Sequence, residues 1–480
     1  MPESLRKQTI SGVIWSAIER FSLQIIQFVI NIIMARLLLP SDYGIIGMLA
    51  IFLQISQAFI DSGFAHALIQ KKDRTETDYS TVFYFNIIIA FIFYVIIYFS
   101  APLIAQFYNQ PTLIPITRII ALNLIFSSFS AIHNTILTIR IDFKTQSKAS
   151  LTAAIISGTL GITMAYLGFG VWALVFQSLL NSFLITLLLF FLLKWKPQFI
   201  FSFSSFKRLF SFGSRLLISG MIHTIYRNLY TIIIGRRFSA TDLGFYTRAE
   251  QFAIFPSSNL NAIISRVTYP ILSSIQDDDQ RLSNAYRKYI QLASFIIFPL
   301  MAGLAALANP IINILLTDKW IGVVLLLQIL CLDWMFDHIT SINLNLLWVK
   351  GRSDLSLKLE FIKKTIAIII LFLSIPWGVE GMCWGRVFYS LIATYLNTTY
   401  TKKLISLSFS QQIKDITPSL VLAFLMGGCI YCLNSFIPSF ILQLICGFIF
   451  GVIFYLSLAY LFKIQSFNDI LCLIKKNKSN

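Results

Sequence analysis

Apolar stretches about as long as a bilayer is thick recur from one end of this 480-residue chain to the other, and nothing else restricts its folding as strongly. A helix needs about 20 apolar residues to cross the hydrocarbon core. Fourteen stretches qualify, near residues 12–35, 43–69, 79–105, 113–139, 149–167, 171–193, 210–235, 243–269, 288–308, 323–348, 357–375, 382–400, 417–434 and 440–462. Inside a bilayer only helices and closed barrels satisfy their own backbone polar groups, and runs this long select helices. The expected fold is therefore an all-α polytopic membrane protein of about 14 transmembrane helices. Composition agrees: 57% of residues are hydrophobic and 12% charged, where soluble domains carry about a quarter charged residues.

A net charge of +17 would suggest nucleic acid in a soluble protein, but the positions of the charges argue for topology instead. With the N-terminus inside, 25 of the 38 Lys and Arg fall in inner segments, 4 in outer segments and 9 within spans. By the positive-inside rule both termini are expected in the cytoplasm. The start, "MPESLRKQTISGVIW", has no small-residue cleavage site and reads as a retained anchor. The six cysteines lie in spans or inside, so no disulfide framework is implied. There is no GxxxxGK[ST] loop for nucleotide hydrolysis.

The turn "RLLLPSDYGIIG" at 36–47 returns as "RRFSATDLGFYT" at 236–247: Arg36, Asp42 and Gly44 recur as Arg236, Asp242 and Gly244. The first follows span 1 and the second span 7. Six intervening crossings preserve orientation, so two six-helix lobes, 1–200 and 201–400, are expected as parallel repeats about a pseudo-two-fold axis along the membrane normal. A recurrent helix cap built on Asp and Gly is the alternative. Residues 401–480, with spans 13 and 14, form an appendix. Segment 271–290 reads as an amphipathic surface helix opened by an Asp-rich cap. Pro115, Pro256 and Pro299 are each expected to free a backbone carbonyl within a span.

Charges within the spans carry the functional information: Glu19, Arg20, Asp61, Arg118, Arg215, Arg227, Arg248, Glu250, Arg266, Asp333, Asp337, Glu360 and Arg386. Each centrally placed charge facing lipid would cost about 2.5–3.5 kcal/mol even on lenient insertion scales. They must face one another or a water-filled cavity. Polar residues recur every three or four positions in span 1 (Ser16, Arg20, Gln24, Gln27, Asn31), span 2 (Gln54, Gln57, Asp61), span 7 (His223, Arg227, Tyr230) and span 10 (Asp333, Asp337, Ser341, Asn345), placing each set on one helical face. Such stripes either line a central hydrophilic path or glue helices together by hydrogen bonds. Arginines in a low-dielectric cavity suit a phosphate or diphosphate, because guanidinium forks onto phosphate oxygens and keeps its charge. Carboxylates there are candidate counter-charges or carriers of a coupling proton or Na+.

The strings "SGVIWSAIERF", "ARLLLPSDYGIIGM", "FIDSGFAHALIQKKDRTETDYSTVFYFN", "LGFGVWALV", "GRRFSATDLGFYTRAEQF", "PSSNLNAIISRVTYPILSSIQDDDQRL" and "VKGRSDLSLKLE" resemble the lipopolysaccharide and exopolysaccharide flippases of the colanic-acid and teichuronic-acid type. These flippases belong to the multidrug/oligosaccharidyl-lipid/polysaccharide exporter superfamily. The likeness covers about residues 5–400. It implies two lobes around a central cavity and movement of an undecaprenyl-diphosphate-linked oligosaccharide from the inner to the outer leaflet of a bacterial cytoplasmic membrane, by alternating access. Arg20, Asp61, Arg248 and Glu250 fall within the matching strings.

The expected function is thus flipping of lipid-linked repeat units for surface polysaccharide. Arg20, Arg227 and Arg248, with Gln24 and Gln27, are the expected substrate-binding residues. Glu19, Asp61, Glu250, Asp333 and Asp337 are the expected counter-charges or ion-coupling groups. No catalytic residue, metal or cofactor beyond a coupling ion is expected, and the partners are the lipid-linked substrate, membrane lipids and the polysaccharide polymerase machinery. A multidrug/cation antiporter of the same fold would want an acidic, aromatic cavity, which the arginines oppose. A membrane polymerase or ligase would want a substantial outer catalytic loop, where the longest outer connection is only 309–322.

Overall fold

The computed structural model describes residues 21–61 and 63–469, so that Glu19 and Arg20 lie outside the described residues, as do the side chains of Arg215 and His223 within a described helix. Among the described residues every regular element is a helix. The first compact unit runs to Gly244. It contains α1 (Phe21–Leu37), α2 (Pro40–Asp61), α3 (Phe64–Gln70), α4 (Glu76–Tyr108), α5 (Leu113–Ile120), α6 (Leu122–Arg140), α7 (Phe143–Tyr166), α8 (Val171–Leu193), α9 (Phe203–Arg237) and the start of α10 (Ala240–Ser274). The second unit begins at Phe245 and holds the rest of α10, α11 (Asp279–Ala306), α12 (Ala308–Leu315), α13 (Val323–Met335), α14 (Asp337–Val349), α15 (Ser353–Ser374), α16 (Gly378–Ile405), α17 (Phe409–Asn434) and α18 (Phe440–Leu461).

Ten helical segments among the described residues are long and apolar enough to cross a membrane, and each stretch expected from the sequence falls largely on helix as far as it is described. The first unit takes in α9 because this helix packs against α2, α3 and α4. The connection entering α9 is also tied to the start of α4. Trp195 Nε1 donates to Glu76 (2.8 Å), the Gln198 amide to Ser80 Oγ (2.9 Å) and the Ser202 amide to Thr81 Oγ1 (3.0 Å). Beneath these bonds Phe64, Phe83, Trp195 and Leu209 form an apolar cluster.

Helix starts follow local side-chain chemistry. Thr75 and Asp78 form a capping box at the start of α4, and Ser408 and Gln411 do so at α17. Asp278 accepts from the amides of Gln280 and Arg281 and so opens α11. This cap corrects one expectation. Residues 271–290 do not form a separate surface helix: α10 ends at Ser274, and the residues after Asp278 continue into one 28-residue helix. Leu282, Tyr286 and Ile290, each at most 1% exposed, extend the buried stripe of that helix, which packs on α17.

Pro115 is the second correction. It is the third residue of α5, where the first-turn amide has no intrahelical partner to lose. Pro256 and Pro299 do lie inside helices, as do Pro102, Pro270 and Pro418. A proline inside a helix frees the carbonyl four residues earlier. For Pro299 that carbonyl belongs to Phe295, and it accepts a 3.0 Å bond from the buried Tyr455 hydroxyl of α18. For Pro102 it belongs to Tyr98, and it accepts from Arg118 Nε at 3.4 Å while the guanidinium lies 4.5 Å from the Tyr98 ring. Arg118 is thereby accounted for as an intramembrane charge.

Replacing Tyr455 with Phe removes the donor and leaves the Phe295 carbonyl buried without its partner, at a cost of about 1–3 kcal/mol. The Y455F protein in detergent should melt several degrees below the parent; an unchanged melting temperature would remove this account of the proline.

Candidate functional site

Among the described residues, a polar chain in the first compact unit and a charge cluster in the second hold several of the groups that the sequence singles out. The chain runs across α2, α6 and α9. Ser127 Oγ donates to Gln57 Oε1 (2.8 Å), and Gln57 Nε2 donates to Asp61 Oδ1 (3.0 Å). One turn away Asn228 Nδ2 donates to Gln54 Oε1 at 3.0 Å. These contacts follow from the stripe Gln54, Gln57 and Asp61, which faces neighbouring helices that present Ser127 and Asn228. Asp61 is exposed and, among the described residues, has no ion pair. Arg227, beside Asn228 in sequence, is also exposed, as is Gln27 of α1, whereas Gln24 is half-buried.

In the second unit the charges are paired. Arg386 of α16 lies between two carboxylates: its Nη1 donates to Glu250 Oε1 of α10 (2.7 Å), while Nη2 and Nε reach Asp333 Oδ2 of α13 (2.7 and 2.9 Å). Nη1 also donates to the Tyr246 hydroxyl at 2.6 Å, and the guanidinium lies 5.8 Å from the Trp334 ring. The Arg386 and Asp333 side chains are only 13% and 11% exposed. One guanidinium against two carboxylates leaves a formal charge of minus one on the cluster. In low dielectric that excess is costly unless a proton or cation offsets it.

Arg248 takes another course. Only 5% exposed, it donates from Nη1 to Gln251 Oε1 (2.8 Å) and lies 5.4 Å from the ring of the fully buried Trp320. Its neighbour Glu250, two residues on, points to Arg386, as the 100° step between helical positions requires. Asp337 sits past a break at Phe336. It accepts from Asn261 Nδ2 (2.6 Å), which also reaches Ser341 Oγ (3.0 Å), and Asn345 donates to Ser265 at 3.4 Å. The span 10 stripe thus divides by role. Asp333 joins the charge cluster, while Asp337, Ser341 and Asn345 zip α14 to α10.

The structure therefore brings together Glu250 and Asp333, and it does so through Arg386, which the sequence marks as an intramembrane charge without a role. Asp333, a carboxylate on an apolar helix with no basic residue of its own, was the signal for such a partner. Asp78, absent from the expected charges, is fully buried under Lys71 and Arg208, the latter at 3.3 Å. Its signal was the capping pattern "TETD" preceded by lysines.

A profile of the polysaccharide biosynthesis protein family matches residues 33–325. The teichuronic acid biosynthesis protein TuaB of Bacillus subtilis is 26% identical over 427 residues, covering 88% of both chains. The succinoglycan biosynthesis transport protein ExoT of Rhizobium meliloti is 24% identical over 455 residues, covering 92% of this chain and 90% of its own. Among solved structures, the lipid II flippase MurJ in an inward closed conformation superposes with a TM-score of 0.74 at 18% identity, over 96% of this chain and all of the other. That likeness is one of fold.

Removing Arg386 strands two carboxylates in the second unit. Arg386→Gln should destabilise the protein by about 3–5 kcal/mol, seen as a lowered melting temperature or reduced membrane accumulation. Adding Glu250→Gln and Asp333→Asn should restore most of the loss, and a triple variant as unstable as the single one would refute the pairing.

Proposed function

We propose a transport function for this chain, which belongs to the polysaccharide biosynthesis protein family: it flips a lipid-diphosphate-linked oligosaccharide from the inner to the outer leaflet of a bacterial cytoplasmic membrane for surface polysaccharide. It acts as a transporter and not as an enzyme. Ionised side chains within long apolar helices carry the reading, above all the Arg386 cluster and the exposed Asp61 and Arg227. Groups of this kind mark substrate or ion pathways in membrane proteins. The names of full-length relatives, one of them a succinoglycan biosynthesis transport protein, support the substrate class.

In this reading Arg20 and Arg227 hold the diphosphate, with Gln24 and Gln27 contacting the sugars, while the lipid tail remains in the bilayer; Arg248, buried on Gln251 and Trp320, is not assigned to the substrate. Asp61, Glu250 and Asp333 carry the coupling proton or Na+, which would also offset the surplus negative charge beside Arg386. Glu19 serves as a counter-charge, whereas Asp337 is taken up by Asn261. Both termini face the cytoplasm, consistent with the 25-to-4 distribution of basic residues. Flipped units pass to the polymerase machinery outside.

Deletion of the gene should remove surface polysaccharide, leave drug sensitivity unchanged and be complemented by the intact chain. A guanidinium contact to phosphate is worth about 1.5–3 kcal/mol, so Arg20→Gln and Arg227→Gln should each lower export at least tenfold at unchanged membrane abundance. Full export by both would remove the site assignment. Flipping in proteoliposomes should slow when proton and sodium gradients are collapsed together; a rate indifferent to both would remove the coupling role of the carboxylates.

A further inference from the structure

Where α15 turns into α16 the surface opens into a groove of about 640 Å³, and Glu380 is the one charged residue that lines it. Ile370 and Leu373 of α15, Trp377 at the turn, and Trp384 and Phe388 of α16 form its apolar walls. A hollow of this size suits a small molecule or part of a lipid. Two glycines shape it. A Cβ built on Gly381 would overlap the Cβ of Trp377, and one built on Gly385 would lie 3.1 Å from Ser374 Oγ and 3.3 Å from Ile370. The two helices thus close on each other along Gly381 and Gly385, one turn apart, and the larger side chains stand beside that line.

Polarity changes along the groove. Glu380, Trp384 and Phe388 recur every four residues and share one face of α16, and the helix covers about 12 Å from the first to the last. Glu380 lies in the first turn of α16, while Phe388 and Ile370 lie deeper in the apolar hairpin Ser353–Ile405. Trp377, Trp384 and Phe388 are 72%, 53% and 61% exposed, so the chain leaves them for another molecule to cover. Glu380 is exposed and, among the described residues, has no ion pair. Arg386, six residues on, is held by Glu250 and Asp333. The helix dipole favours an acid in a first turn, which accounts for the carboxylate but not for the indoles beside it. Aromatic belts at membrane surfaces account for indoles, but not for an acid among them. A carboxylate beside indole rings binds an ammonium, by charge and by cation–π attraction. An ammonium site at one end and apolar walls at the other fit an amphiphile, not a soluble cation.

We propose that this groove binds one membrane phospholipid whose headgroup ends in an ammonium, as that of phosphatidylethanolamine does. The ammonium meets Glu380 and the Trp377 and Trp384 rings, and an acyl chain runs along Trp384, Phe388 and Ile370 into the bilayer. Glu380 chooses the headgroup, because phosphatidylglycerol brings a negative charge and no ammonium to a carboxylate. The groove is separate from the Arg386 cluster and from the polar chain of the first unit, and its lipid binding is read without transport, so it stands apart from the function proposed above.

Native mass spectrometry of the full chain tests this, with protein delipidated in detergent and given phosphatidylethanolamine or phosphatidylglycerol carrying the same acyl chains. The parent should retain phosphatidylethanolamine about tenfold more than phosphatidylglycerol. Glu380→Gln, which takes no partner from any other side chain, should lose most of that preference, and Glu380→Lys should reverse it. Trp384→Ala should weaken retention of phosphatidylethanolamine, whereas Asp277→Asn, at an exposed carboxylate before α11, should leave it unchanged. Equal retention of the two lipids by the parent, or the parent's preference surviving in Glu380→Gln and Glu380→Lys, overturns the site. A parent dimer that excludes lipid and comes apart on Trp384→Ala also overturns it, in favour of a second copy of the chain.

Discussion

A polar group inside an apolar membrane has no water to turn to, so it must find its partner within the chain. Much of the detail in this structure answers that requirement. Prolines in α4 and α11 open the backbone ladder, and the freed carbonyls of Tyr98 and Phe295 are taken up by Arg118 and Tyr455. A guanidinium and a phenol come from other helices to replace an amide that proline cannot supply. The breaks are therefore tolerable, and they tie α4 to the following segment and α11 to α18.

The same requirement separates the charges by how fully each is partnered. Asp78, held by Lys71, Arg208 and its capping bonds, is fully satisfied and anchors the connections at one end of the first unit. Asp337 is satisfied by Asn261 and serves packing. The Arg386 cluster differs because two carboxylates share one guanidinium, and the surplus negative charge leaves a demand for a proton or cation. Asp61 differs in the other direction: exposed on α2, it is bonded to the Gln57 amide and, among the described residues, to no cation.

The approach of the start of α2 to the start of α10 belongs to packing and not to charge. At Gly44 and Gly244 the missing Cβ permits backbone to touch backbone.

The sequence by itself determined the helical, membrane-spanning class, the positions of the spans, the Asp-rich cap that opens α11, and the repeat of the polar turn. All of these depend on residues within a few positions of one another, through composition, period or capping. It also named Arg248, Asp333, Asp337 and Arg386, since a charge in an apolar run is conspicuous wherever it packs, but not Asp78, which lies at a helix start. Which charge meets which was decided only by the tertiary structure: Arg386 stands 136 residues from Glu250 and 53 from Asp333. The span 10 stripe shows the limit well. Periodicity put Asp333 and Asp337 on one face, yet the break at Phe336 and the neighbours on α10 and α16 sent one to a guanidinium and the other to an amide. Helical period reports the face a residue occupies, and the partner on that face comes from distant chain, which local sequence does not encode.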